Sequence, residues 1–188
     1  MSSRIGDSGS AARRGAAVGA AGGLAGAVVM AMYAMFVSGS VKDVGFFTPL
    51  YHIASAVIAP DAMMTSMQRA AAGDAVTFSG GPALVGLLVH MMTGAMFGAL
   101  FGAAAAVARL TRGVTVVAGL LYGLVVLAFS AFVALPIVAE LFGGGEAIAK
   151  MPRMAGWGTF TVEHVLYGLV VGAVVAAAAT RRVATVAN

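Results

Sequence analysis

Three histidines, one glutamate and the methionines are the residues of this chain whose types and spacing could do chemistry. His90 lies about seven residues inside one long apolar run and His164 about six inside another, so both sit roughly 10 Å below the same membrane boundary at 1.5 Å per helical residue. Each heads a four-residue ladder of glycines: His90 with Gly94 and Gly98, His164 with Gly168 and Gly172. An ionisable side chain in such a run is costly in hydrocarbon and faces the protein interior or a wet cavity. Neutral imidazoles on two helices are ligands for a haem iron or another metal, so His90 and His164 are the candidate cofactor residues. Glu163 and Tyr167, one turn apart on a single stripe, are candidates for a proton relay.

Methionine adds a second pattern. The eleven methionines after Met1 all map to one expected side of the membrane, and Met92-xxx-Met96 puts two thioethers on one helix face. Soft sulfur suits copper(I), so His52, His90, His164, Met92 and Met96 form the candidate metal set, with haem or copper as the candidate cofactor. Two plainer readings stand beside these. A histidine in a span also serves by hydrogen-bonding a neighbouring helix, and methionine fills irregular gaps.

The elements that must position these residues follow from composition. Of 188 residues, 61% are hydrophobic and only 10% charged, and the mean hydropathy is +0.98. Soluble domains carry about 25% charged residues, so a water-facing surface cannot be built from this chain. The net charge of +4 is dispersed beside apolar runs, which points to membrane topology and away from nucleic acid. The absence of cysteine excludes disulfides and thiolate chemistry.

Four segments, 16–37, 83–108, 114–139 and 158–180, are long and apolar enough to cross about 30 Å of hydrocarbon. Continuous apolar runs without period-two alternation predict an all-α polytopic membrane helical bundle of about four transmembrane helices. Together they form a single transmembrane domain between a basic N-terminus (1–15) and a tail (181–188). Arg4, Arg13, Arg14, Arg109, Arg112, Arg181 and Arg182 fall on one side, and Lys42, Arg69, Lys150 and Arg153 on the other. Both termini are therefore expected in the cytoplasm of a cell with this protein in its inner or plasma membrane. The first run exceeds the length of a secretory signal core, and it is read as a retained anchor.

The first outer loop contains an apolar stretch, 46–59, too short to span and bracketed by Pro49 and Pro60. It predicts a short interfacial or re-entrant helix, with an amphipathic helix resting on the outer leaflet expected over a plug between the spans.

Glycine recurs every fourth residue at Gly15, Gly19 and Gly23, at Gly94, Gly98 and Gly102, at Gly119 and Gly123, and at Gly168 and Gly172. Such Gly-xxx-Gly seams let helix backbones approach closely where lipid removes the hydrophobic drive. All of them fall in the expected cytoplasmic halves of the spans, which predicts either helices splayed outward around a crevice or an outer half filled by bulky side chains. Leu121-Tyr122-Gly123-Leu124-Val125-Val126 recurs verbatim from Leu166 to Val171, a weak sign of duplication.

No Gly-x-Ser-x-Gly, His-Glu-x-x-His or phosphate-cradling loop occurs. With its arginine-flanked first span, Pro49-Leu50-Tyr51-His52 loop, Leu88-Val89-His90 span and Glu163-His164 span, the chain resembles small uncharacterised four-span proteins of bacterial inner membranes. That resemblance implies location and no activity. Met92-xxx-Met96 beside glycine seams is similar to copper-uptake transporters, which have three spans and a long methionine-rich outer arm that this chain lacks. The functional expectation is a non-enzymatic structural or accessory protein in contact with lipid, self-associating or attached to a larger membrane complex. The alternative is a haem- or metal-binding redox or transport protein.

Overall fold

The computed structural model describes the backbone of residues 2–186 and the side chains of residues 8–179. Arg4, Arg181 and Arg182, three of the basic residues behind the expected orientation, lie outside the described side chains, as does all of the 181–188 tail.

All regular structure among the described residues is helical, in the order α1 (Ser2–Ser40), α2 (Thr48–Ser55), α3 (Ala62–Ala71), α4 (Gly80–Val107), α5 (Arg112–Phe129), a π-turn (Ser130–Ala134), α6 (Leu135–Phe142), α7 (Gly145–Ala149), α8 (Met151–Ala155) and α9 (Trp157–Val186). Four stretches are long and apolar enough to cross a membrane: Ser8–Ser40, Gly80–Val107, Arg112–Phe142 and Trp157–Ala179. The expected all-α arrangement of four spans is therefore what the chain adopts.

The third span carries a local departure that a continuous apolar run does not announce. Pro136 has no N–H for a helical bond, and its ring crowds the carbonyl four residues back. One turn earlier the helix widens, and the Leu135 N–H donates to the Ser130 carbonyl in the five-residue register of a π-turn. The span stops at Gly143, whose left-handed φ of 69° ends the helix as a glycine C-cap.

In the loop between the first two spans a short helix, α2, forms within the expected 46–59 stretch, and a second, α3, follows it. Pro49 stands in the first turn of α2, where a missing N–H costs nothing. Six of the eight α2 residues, Thr48, Leu50, Tyr51, His52, Ala54 and Ser55, are buried. Gly86 of α4 lies so close that an added Cβ would overlap the Leu50 carbonyl oxygen. This helix is enclosed by protein and has no broad face left to rest on a lipid surface. The second helix, α3, is too polar to register as an apolar run.

The chain divides into two compact units, and each long helix contributes to both. The first comprises Met1–Val28, Met91–Leu124 and Val165–Asn188, and the second Val29–His90 and Val125–His164.

In the first unit, glycines face glycines across antiparallel helices. A Cβ on Gly15, Gly19 or Gly23 of α1 would overlap the carbonyl oxygen of Gly102, Gly98 or Gly94 of α4, respectively. Gly119 of α5 meets Gly168 and Gly172 of α9 in the same way, with a Cβ only 2.6 Å from the Gly172 Cα. Two tyrosines add hydrogen bonds across helices. The Tyr122 hydroxyl donates to the Phe97 carbonyl at 2.9 Å and the Tyr167 hydroxyl to the Gly94 carbonyl at 2.7 Å. In an apolar medium such a carbonyl, already bonded within its helix, offers its second lone pair to the side chain.

The second unit packs through larger side chains. Ala56, Ala139 and Ile148 form a buried cluster flanked by Leu135, Val138 and Met151. Ser38 donates to the Gly45 carbonyl at 2.6 Å, and the Thr48 and Ser66 hydroxyls pair at 2.8 Å.

Candidate functional site

Among the described residues, the second unit holds the buried side chains of His52, Glu163 and His164. Lys42 lies two residues past the end of α1, and its ammonium donates to the Ala155 carbonyl at the end of α8. The next residue, Gly156, has a φ of 84°, and a Cβ there would come within 2.9 Å of the Lys42 Nζ. Glycine thus serves twice at this position, turning the chain into α9 and leaving room for the lysine.

Glu163 is buried in α9, in the same unit as Lys42. Among the described residues the one ion pair at contact distance is Lys150 with Glu146, so Lys42 and Glu163 do not form a contact pair.

His164, the next residue, is also buried. Its Nδ1 lies 2.8 Å from the Phe160 carbonyl one turn back. A carbonyl can only accept, so Nδ1 carries the proton and Nε2 is the nitrogen left with a lone pair. The Phe160 ring packs against the imidazole at a centroid distance of 4.4 Å. His90, half-buried on α4, belongs to the same unit.

The other candidates go elsewhere. His52 Nε2 donates to the Ala147 carbonyl at 2.9 Å, which pins α2 to α7. No group of three His, Cys, Asp or Glu among the described residues is arranged to hold a metal ion, so the three histidines do not converge as a metal set. Met92 and Met96 are 71% and 53% exposed, and their thioethers lie on the outer face of α4. Their four-residue spacing correctly places them on one face, but that face points outward. Tyr167, the proposed relay partner of Glu163, donates its proton to the Gly94 carbonyl within the first unit.

Lys42 is the functional candidate that sequence reasoning missed. It enters the sequence reading only as a topological charge, one of two lysines on the same expected side, and nothing in the sequence sets it apart from Lys150.

His52 yields a pH prediction. Burial strips water from its imidazole and lowers its pKa below the usual 6.5, outweighing the carbonyl hydrogen bond. The folded state therefore favours the neutral ring, whose stabilisation is complete above pH 6.5 and falls away as the pH drops below it. The thermal midpoint of the detergent-solubilised protein should fall on acidification from pH 7 to 5. His52→Gln, which retains an N–H for the Ala147 carbonyl but does not titrate, should flatten that slope. An equally steep slope in the variant would assign the acid sensitivity to another group.

The four spans and this cluster define a polytopic α-helical membrane chain whose second unit buries Glu163, His164 and His52. No protein-family model, no curated protein and no solved structure matches it.

Proposed function

We propose that this is a small structural or accessory protein of a cell membrane, without enzymatic activity. In this reading both termini are cytoplasmic, and the protein associates with further copies of itself or with a larger membrane complex. The observation that carries it is the run of three successive glycine pairs between α1 and α4, which leaves no room for a side chain on either helix. Such direct backbone packing suits a rigid membrane element. The seven-to-four distribution of basic residues supports the orientation.

Reporter fusions at Gly73 and Asn188 should report opposite compartments. Protein purified in mild detergent should be colourless and free of stoichiometric copper, and cross-linking in native membranes should give species larger than one chain.

A second reading, a haem- or metal-binding redox or transport protein, draws support from His90 and His164, which share one unit with Glu163. The same purified protein decides between the two. A Soret band or stoichiometric copper that disappears in His90→Ala and His164→Ala would overturn the structural reading.

A further inference from the structure

Residues 62, 65, 66 and 69 of α3 recur at the spacing that aligns side chains along one helix face, and that face lines a cavity of about 440 Å³ in the second unit. Small-molecule sites run from roughly 300 to 1,000 Å³, so the space suits a compact ligand or part of a larger one.

Its walls are preformed. The Tyr51 ring is buried, its hydroxyl accepts from the Ser79 N–H at 2.7 Å and it donates to the Thr77 carbonyl at 3.2 Å. Ser66 is held by its hydrogen bond to Thr48.

Two opposite charges line this one space, Asp61 at the start of α3 and Arg69 near its end. Eight residues of helix set their Cα atoms about 12 Å apart. No side-chain hydrogen bond or ion pair engages either one among the described residues. A carboxylate seeks a cation and a guanidinium seeks a phosphate or carboxylate, often through two parallel bonds. A ligand carrying both charges satisfies the two ends together, whereas a simple anion or cation leaves one charge facing it unfavourably.

The rim indicates where that ligand comes from. Phe78 lines the cavity and is 63% exposed. Two residues later, at Gly80, begins one of the four helices apolar enough to span a membrane. A residue this close to the end of a span lies near the interfacial zone, at head-group level.

We propose that this cavity binds the head group of a zwitterionic phospholipid, its ammonium at Asp61 and its phosphate at Arg69, with Phe78 against the glycerol region. The inference rests on the membrane reading of the chain. A soluble zwitterion, such as free phosphoethanolamine or an amino acid, shares the charge pattern and is the alternative source.

The test is native mass spectrometry of the full chain released from detergent containing equal amounts of phosphatidylethanolamine and phosphatidylglycerol of matched acyl chains. Retention of one phosphatidylethanolamine in preference to phosphatidylglycerol is expected. Asp61→Asn and Arg69→Gln should each weaken that retention roughly tenfold, the effect of losing one charge-assisted hydrogen bond. Arg153→Gln, a charge change outside the cavity, should leave it unchanged. Equal retention of both lipids, or retention indifferent to Asp61 and Arg69, would overturn the proposal. So would thermal stabilisation by soluble phosphoethanolamine with no lipid retained, which would assign the cavity to a soluble solute. A chain that retains lipid of no class and fails to insert would instead contradict the membrane reading itself.

Discussion

Replacing Gly98 by leucine is expected to break open the first unit, with a fall of about 10 °C or more in the thermal midpoint of the detergent-solubilised protein. A Cβ at this position would overlap the Gly19 carbonyl oxygen and stand 2.7 Å from the Gly23 Cα. Inserting methylenes into a packed core costs about 1–3 kcal/mol when neighbouring side chains can shift. Here the obstacles are backbone atoms of another helix, which cannot rotate aside, so the helices must separate. Separation also removes the close van der Waals contact that holds apolar helices together in lipid, where burial of apolar surface gives no further drive. Val125→Leu, at a site 61% exposed, enlarges a side chain by a similar kind of step without an obstacle and should leave the midpoint within a degree or two. Gly98→Ala should fall between the two. If Gly98→Leu and Val125→Leu melt together, the glycine seam is not a packing surface.

Lys42→Met is expected to destabilise the second unit by about 1–3 kcal/mol at neutral pH, less than the 3–5 kcal/mol typical of breaking a fully buried contact pair, because Lys42 is only partly buried and does not touch Glu163. The lysine brings two things, a hydrogen bond to the Ala155 carbonyl and a positive charge in the unit that buries Glu163. A double-mutant cycle separates them. Glu163→Gln removes the carboxylate, so in that background Lys42→Met should cost only what the lost carbonyl bond accounts for, roughly 1 kcal/mol. The difference between the two backgrounds is the charge coupling, and a value of at least about 0.5 kcal/mol is expected from unfolding of the four proteins in the same detergent. Additive effects would reduce Lys42 to a loop anchor and leave Glu163 without a working counter-charge.

The span boundaries illustrate what run length can and cannot locate. The expected 83–108 and the observed Gly80–Val107 agree closely, because both ends of that apolar run coincide with turn-forming residues, and Arg109 adopts a positive φ of 53° just beyond it. The first span was expected from 16, yet α1 begins at Ser2. Hydropathy marks where a chain enters lipid, whereas a helix continues through any polar residues that tolerate it, and Ser8, Arg13 and Arg14 do. The short helices α3, α7 and α8 were not foreseen, since each is stabilised by its neighbours more than by its own pattern.

The candidate residues divide along the same line. The place of His90, His164 and Glu163 along their helices was legible, since counting residues into an apolar run measures distance along a helix. Direction was not. A helix that is apolar all round has no polar face to indicate which side turns inward. Met92 and Met96 accordingly stand on the outer face, while the glycine ladders of the same helix face α1. Lys42, just past α1, and Glu163 of α9 fall in one compact unit, and nothing local to either residue records it.

The sequence by itself determined that this is an all-helical chain with four spans and glycines aligned along single helix faces, because a bilayer demands about twenty apolar residues per crossing and the helical repeat converts spacing into a face. Only the tertiary structure decided that the α1 ladder meets that of α4 and the α5 glycines meet those of α9, that α2 is enclosed by its neighbours, and that Asp61 and Arg69 share a cavity. Those choices depend on how surfaces distant along the chain fit one another, and in a chain this uniformly apolar the fit is set by the shapes of small and large side chains.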